Sequence, residues 1–250
     1  MTEFIPTPQG APPPVSGSSL GAQASRLVRM FSQPGAALRE LHATPSWLVA
    51  LVAIVVVALA AQLVIAPRID WEGTVRQTMQ DRRGGQIPEQ QMDRAIEGAT
   101  KFGRVMLFVS PLLAPVMFLL LAGLYFLGLK ALGSATEYKP VFATLLHAVF
   151  PPQLVSSVLL AVVASRRGSF IAQDLEIMLK SSVAGWLPTE TAKPIMAIAG
   201  VLDIFNLWQW ILLVLGFQIV GRVSRSKAVA LVVVTWGVWA LGKAGLAALQ

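Results

Sequence analysis

Five long runs of apolar residues, separated by polar segments, follow residue 46. Each run has about the 20 residues that carry an α-helix across a ~30 Å hydrocarbon layer. The pattern therefore predicts an all-α polytopic membrane protein with five transmembrane helices. The predicted spans cover about residues 47–65, 105–129, 142–164, 196–219 and 228–247.

Two of the polar connections also contain apolar residues at helical spacing. The first stripe, which follows Pro88, predicts a helix that runs directly into the second span. The second stripe, in residues 165–195, predicts another helix, with an irregular loop as the alternative. Both helices would be amphipathic and lie at the membrane surface. The stripes consist of Met92, Ile96, Ala99, Phe102 and Met106, and of Phe170, Ile171, Leu175, Met178 and Leu179.

The first 46 residues divide into two segments of different composition. Residues 1–23 are rich in Pro, Gly and Ser and are predicted to be disordered, because they can bury almost no apolar surface. Residues 24–46 alternate basic and apolar positions, and Pro34 divides them into two short interfacial helices. The five-helix domain then covers residues 47–250. The side chains predicted to face lipid are Leu27, Phe31, Leu38 and Leu41, and those predicted to face headgroups are Arg26, Arg29 and Arg39.

Composition supports a membrane location and excludes several kinds of site. Hydrophobic residues make up 55% of the chain and charged residues only 13%, which is about half of the charged fraction usual in a soluble domain. The chain has no cysteine, which excludes disulfides, thiolate metal sites and a cysteine nucleophile. The net charge is +7, but the basic residues flank apolar segments. We therefore expect anionic lipid headgroups, rather than nucleic acid, as the counter-charge.

Asp203 is the only acid within a predicted span, and Lys243 is the only base. A carboxylate in a spanning helix costs about 2.5–3.5 kcal/mol unless it is paired or hydrated. The two residues lie about 20 positions on either side of their connecting loop, so at a rise of about 1.5 Å per residue they reach similar depths. Asn206 and Trp210 share the helix face of Asp203. These four residues form a predicted intramembrane polar cluster.

Two interpretations of this cluster remain open. In the first, Asp203 and Lys243 form a structural ion pair that fixes the register of two neighbouring helices. In the second, the pair relays protons or ions along a transport path. The first is favoured, because a path needs several ionisable groups at different depths. Only His147 lies deeper in the predicted bilayer.

Prolines occur within two of the predicted spans. Pro111 and Pro115 lie in the second span, and Pro151 and Pro152 lie in the third. Each removes a helix hydrogen bond and should kink its helix. Because the two breaks fall at similar depth, they predict matched kinks with close packing. The alternative is a broken-helix substrate site of the kind found in transporters, but no internal repeat is evident.

No set of residues predicts catalysis or cofactor binding. Ser156 and Ser157 lie nine or more residues from His147 and outside any G-x-S-x-G sequence, so a serine protease is not indicated. One intramembrane acid is too few for an aspartyl protease. The sequence contains no H-E-x-x-H, phosphate-binding loop or G-x-G-x-x-G. We expect no enzyme activity, metal or cofactor, and we interpret His147 as a packed or hydrogen-bonded residue.

The last two apolar runs resemble a known family. The stretch "LDIFNLWQWILLVLGF" and the later "GRVSRSKAVALVVVTWGVWAL" look like the C-terminal helices of bacterial members of the Yip family, the Ypt/Rab-interacting integral membrane proteins. The segments "LVRMFSQPGAALRELHATPSWL" and "IPEQQMDRAIE" resemble earlier parts of the same family, and the whole resemblance covers about residues 25–250. The matching positions are Leu202, Asp203, Leu207, Trp208, Ser226 and Lys227, and upstream Phe31, Pro34, Pro45 and Trp47.

The resemblance implies a bacterial inner-membrane protein with five spanning helices, a cytoplasmic N-terminus and an extracytoplasmic C-terminus. The count of basic residues opposes this orientation, with eight in the inner segments and eleven in the outer ones. The density of bases favours it, since "GRVSRSK" has three bases and no acid. The Asp-Leu-Tyr-Gly-Pro segment of eukaryotic members is absent, so binding of a Rab GTPase is not expected. Some bacterial relatives look like accessory partners of ABC exporters.

Two hypotheses for the function follow from these features. In the first, the chain is a non-enzymatic scaffold or accessory subunit of a membrane complex, with an ABC exporter as one candidate, or it organises the membrane. Its partners would be the lipid bilayer, anionic headgroups, and another membrane protein or a second copy of itself. In the second, the chain is a small transporter or channel that uses the Asp203–Lys243 pair.

Overall fold

The computed structural model describes residues 19–83, 89–188 and 190–248. Within these ranges the chain forms helices joined by turns, and the all-α prediction is confirmed. Most of the segment predicted to be disordered lies outside the described residues, but the first helix begins at Leu20 rather than at residue 24. The helices are α1 Leu20–Ser32, α2 Pro34–Ala43, α3 Leu48–Ile65, α4 Trp71–Arg83, α5 Glu89–Ala131, α6 Tyr138–Arg166, α7 Lys193–Val201, α8 Ile204–Val220 and α9 Arg225–Ala248.

The described helices agree with a polytopic membrane protein. Helices α3, α5, α6 and α9 are each long and apolar enough to cross a bilayer. The predicted fourth span is not one helix, because the chain leaves α7 at Val201 and starts α8 at Ile204. The apolar α8 has 17 residues and is about 25 Å long, slightly shorter than a ~30 Å hydrocarbon layer. The five predicted spans are thus recovered approximately, with the fourth divided into two helices.

The core of the bundle lies around the N-terminal half of α6, which packs against α3, α5 and α8. All residues from Val141 to Val149 are buried. Tyr125 of α5 and Phe217 of α8 meet beside this segment, with ring centroids 4.9 Å apart. Gly216 of α8 is required by the packing, since a Cβ there would lie 2.3 Å from Cγ2 of Thr144. This end of the bundle is therefore closely packed and apolar.

Helices α1 and α2 pack on this core, and the prediction that their apolar faces contact lipid is wrong. Pro34 starts α2 and separates it from α1, as predicted. However, Leu27, Leu38 and Leu41 are buried in the same core as α6 and α8. Arg26, predicted to face headgroups, is fully buried. An amphipathic helix presents the same sequence pattern to a protein surface as to a membrane, which explains the difference.

At the opposite end of the bundle, α4 and the segment after α6 form a second small core. Phe170 and Met178 are buried there beside Ile65 and Ile69. The backbone of Asp70 donates to the carbonyl of Phe170 (2.8 Å) and that of Phe170 donates to the carbonyl of Arg68 (3.1 Å). The helix predicted within residues 165–195 is wrong: short 3₁₀ turns at Ala172–Glu176 and Val183–Trp186 take its place.

The other predicted connecting helix is confirmed. Helix α5 begins at Glu89 and continues without interruption to Ala131, so the amphipathic stripe after Pro88 runs directly into the second span. Helix α4 packs against this N-terminal extension of α5. Because the extension is part of the same helix as the span, it does not form the separate surface helix that amphipathicity alone suggested.

The prolines lie inside continuous helices. Helix α5 contains Pro111 and Pro115, and α6 contains Pro151 and Pro152. Pro111 and both prolines of α6 are buried, so they pack within the bundle. Neither helix is broken at its prolines, and the observed helix break lies instead between α7 and α8.

A polar cleft at the break between α7 and α8

Asp203 is the N-cap of α8, whereas the sequence placed it inside a spanning helix. Its backbone is extended (φ −117°, ψ 143°), and its carboxylate accepts a hydrogen bond from the backbone N–H of Phe205 at 2.7 Å. The hydroxyl of Ser181 donates to the other carboxylate oxygen. Aspartate is among the strongest N-cap residues, because its oxygen satisfies an N–H that has no partner within the helix. The acid therefore starts α8.

The backbone around the break is hydrogen-bonded on both sides. Ser182 and Asp203 form an isolated antiparallel bridge. Val183 N–H donates to the carbonyl of Leu202 at 3.0 Å, and Ile204 N–H donates to that of Ser181 at 3.1 Å. The side-chain amide of Asn206 donates to the carbonyl of Val201 at 3.0 Å. Non-helical backbone at membrane depth is tolerated where such partners exist or where it lines a cavity.

The predicted Asp203–Lys243 ion pair is not formed in the described structure. The ion pairs found among described residues involve Glu40, Glu72 and Glu97. The carboxylate of Asp203 points instead to Ser181 and to the start of its own helix. Asp203, Asn206 and Lys243 nevertheless all line one cleft.

This cleft has a volume of about 1030 Å³ and lies at the end of the bundle opposite to α1 and α2. Helices α4, α6, α7, α8 and α9 and the turns after α6 contribute to its wall. The charged residues found among the described part of its lining are Asp203, Lys193 and Lys243. Polar neutral residues of the wall include Gln77, Thr78, Ser156, Ser157, Gln173, Ser181, Thr191 and Asn206.

The cleft does not extend through the described bundle. Its lining reaches Ser156 in α6 and Asn206 in α8 and goes no deeper in either helix. Ser156 lies ten residues before the end of α6, about 15 Å from that end. Closer to the start of α6, the buried segment Val141–Val149 and its neighbours fill the bundle with mainly apolar side chains, among which Thr144 and His147 are also buried. The arrangement is a polar cavity closed at one end.

The remaining candidate residues lie outside the cleft. Trp210, assigned to the polar cluster, packs against Trp236 of α9 with ring centroids 5.6 Å apart. His147 is buried in the core and its Nδ1 lies 2.8 Å from the carbonyl oxygen of Ala143. The four helix prolines do not line the cleft. None of these residues reaches the polar cavity.

Sequence reasoning missed several residues of the cleft. Lys193 is the first residue of α7. In the sequence it precedes the predicted fourth span, where a base is common and indicates no site. Ser156 and Ser157 were considered only as nucleophiles, although two adjacent hydroxyls in an apolar span are a signal for a polar wall. Ser181 had no signal in the sequence, since its contact with Asp203 depends on how the loop folds back.

A second polar cluster lies at the other end of the bundle. The guanidinium of Arg26 donates to the carbonyl of Thr44 (3.1 Å), to Oγ1 of Thr44 (3.0 Å) and to Oγ of Ser46 (2.8 Å). Oε1 of Glu40 lies 3.8 Å from Nη2 of Arg26, and the carboxylate of Glu40 also pairs with Arg29. Burial lowers the pKa of Arg26, and the charge of Glu40 acts against that shift. This cluster joins α1 to the connection between α2 and α3.

Comparison with known proteins is consistent with this architecture. The family model of the Yip1 domain matches residues 28–247. The chain belongs to the Yip1 domain family. The match begins within α1 and ends within α9, so the helices packed on the core are part of the Yip1 domain. The resemblance to the Yip family is confirmed, and the chain is an integral membrane protein of this family in contact with the lipid bilayer. No curated protein and no solved structure gives a significant match.

Proposed function

We propose that this Yip1 domain protein is a non-enzymatic binding protein of the membrane, acting as a scaffold or accessory subunit for another membrane protein or for a second copy of itself. The observation that carries the proposal is the outer face of α9. Val234, Val238 and Leu241 follow each other at helical spacing on this face and are 62%, 65% and 68% exposed. An ABC exporter is one candidate partner.

The same face of α9 allows close approach by another helix. A Cβ added at Gly237 or Gly245 would meet no atom within 4 Å, and both glycines lie on the side of α9 that carries Val238 and Leu241. Helices in membranes associate through small residues that let backbones come close, because lipid provides no hydrophobic drive between them. Helix α9 is also the least buried of the four long apolar helices.

The apolar core supports a binding role over the transporter alternative. A transport path needs polar groups at several depths, whereas the polar cleft ends at Ser156 and the buried segment of α6 lies beyond it. Asp203, the acid that such a path would use, is held by Ser181 and the start of α8. The proposal includes the orientation expected from the family, with the N-terminus in the bacterial cytoplasm and the cleft on the outer side.

Single-cysteine cross-linking tests the binding role, and the absence of native cysteine makes every introduced thiol unique. Val238→Cys places a thiol on the outer face of α9, and Leu120→Cys on α5 is a matched control, because Leu120 is also 65% exposed. In native membranes, a thiol-directed photo-cross-linker should give a discrete protein adduct from position 238 and none from 120. Mild oxidation identifies self-association as a disulfide dimer. The absence of any discrete product from 238, or equal products from both positions, contradicts the proposal.

Liposome flux separates the binding role from the transporter alternative. We expect the purified full chain to move protons and monovalent ions no faster than empty liposomes. The matched variant is Asp203→Asn, which keeps the side-chain shape and removes the charge. A flux that the wild type shows and Asp203→Asn loses would replace the binding role with the transporter hypothesis.

A further inference from the structure

We infer that the polar cleft binds the phosphate of an anionic phospholipid headgroup from the leaflet at this end of the bundle. The charges of its wall favour an anion. Lys193 and Lys243 both line the cleft, and Asp203 is the only acid among the lining residues that the structure describes. Neither lysine forms an ion pair or a hydrogen bond with a described residue.

Asp203 does not neutralise these lysines by direct contact. One carboxylate oxygen accepts from the N–H of Phe205 and the other accepts from the hydroxyl of Ser181. The carboxylate is therefore held against the start of α8, away from an ion pair with Lys243. Two ammonium groups in a polar cavity without a paired acid favour an anion as the missing partner.

The polar wall of the cleft supplies further donors of the kind that bind phosphate. Ser157 and Thr191 present hydroxyl groups, which donate readily to phosphate oxygens. Lysine ammonium groups and hydroxyls thus converge on one cavity.

The position of the cleft selects a lipid over a free anion. Lys243 lies five residues before the end of α9, about 7.5 Å below it, which is the level of headgroups if α9 spans the bilayer. Leu160, Ala197 and Leu246 provide apolar wall next to the polar part. On α7, which contributes Lys193 and Ala197 to the wall, Ile195 and Ile198 are exposed. An acyl chain can follow these residues while its phosphate lies between the lysines.

Ligand-dependent thermal unfolding of the delipidated full chain in detergent tests the inference. The probes are short-chain phosphatidylglycerol, phosphatidylcholine with the same acyl chains, and inorganic phosphate. The test variant is Lys193→Gln with Lys243→Gln. The matched control is Lys139→Gln with Arg225→Gln, which removes two exposed positive charges from the opposite end. Native mass spectrometry counts the lipids that the protein retains. The variant Lys193→Arg with Lys243→Arg keeps both positive charges and tests whether charge, rather than side-chain shape, is responsible for binding.

We expect phosphatidylglycerol to stabilise the wild type and the control variant with one lipid bound. We expect the test variant to bind it about tenfold or more weakly, because two charge-assisted hydrogen bonds are lost, and the arginine variant to retain binding. Equal responses of the test and control variants, or of the two lipids, overturn the inference. Inorganic phosphate acting as well as phosphatidylglycerol overturns the lipid as the source of the anion. The assay contains no second protein, so its failure leaves the proposed binding role standing, and failed cross-linking leaves the lipid site standing.

Discussion

The two ends of the bundle hold buried or half-buried charge in different ways. At the end formed by α1 and α2, Arg26 is fully buried but lies among Glu40, Thr44 and Ser46, and an apolar core surrounds the cluster. At the other end, Asp203 is half-buried beside a polar cleft with two lysines. Arg26 joins α1 to the connection between α2 and α3, whereas Asp203 starts α8. The two lysines that line the cleft with Asp203 form no ion pair with a described residue. One end therefore provides stability and the other provides a place to bind.

The largest effect should come from Arg26. We expect Arg26→Met to lower the free energy of unfolding by about 3 kcal/mol, because the carbonyl and hydroxyl of Thr44 and the hydroxyl of Ser46 lose the donor that the buried guanidinium supplies. Arg39→Met is the control, since Arg39 is exposed on α2 and should change stability by less than about 0.5 kcal/mol. Equilibrium unfolding in micelles measures both. Equal small effects would show that α1 is not held by this cluster.

A smaller effect should come from the close contact of α6 and α8. We expect Gly216→Ala to destabilise the protein by about 2 kcal/mol, because its Cβ would overlap the methyl group of Thr144. Gly237→Ala, on the open face of α9, should be neutral or stabilise by up to about 1 kcal/mol. Adding Thr144→Ser to Gly216→Ala should recover part of the loss. A loss at 237 equal to that at 216 would contradict the packing described here.

The smallest effect should come from the cleft end. We expect Asp203→Ala to cost about 1 kcal/mol through loss of the N-cap, while Lys243→Met alone should change stability little. The double variant Asp203→Ala with Lys243→Met tests the ion pair predicted from sequence. Since the structure shows no such pair, the two changes should add within about 0.5 kcal/mol. If the double variant is more stable than Asp203→Ala by more than about 0.5 kcal/mol, the two residues do form an ion pair.

The sequence was sufficient for the apolar helices, for the break at Pro34 and for the continuity of α5. It also predicted one depth for Asp203 and Lys243 from helix rise and loop position, and both residues line the cleft. It failed at α8, where an aspartate in an apolar run was interpreted as a charge inside a span rather than as an N-cap. An aspartate in an apolar run is compatible both with a charge inside a span and with an N-cap. The contact of Asp203 with Ser181, which the sequence does not reveal, distinguishes the two.

The other misses have a common cause. The stripe from Phe170 to Leu179 has helical spacing, but the segment folds into short turns because its apolar side chains reach Ile65 and Ile69 in a separate core. Leu38 and Leu41 have the pattern of a membrane-surface helix, but they meet the protein core. Spacing shows that a face is apolar, and only tertiary packing determines what covers it.

The bundle is closed by a mainly apolar core at one end, and we expect its polar cleft at the other end to be open to water. Thiol labelling of Ser157→Cys and Ala148→Cys in intact membranes tests it most directly, because both lie on α6, one in the cleft and one fully buried. Complete labelling of both after denaturation is the control. We predict rapid reaction of position 157 with a membrane-impermeant maleimide and no reaction of position 148 from either side. Comparable labelling of both positions would reveal a hydrated passage through the bundle and contradict the account.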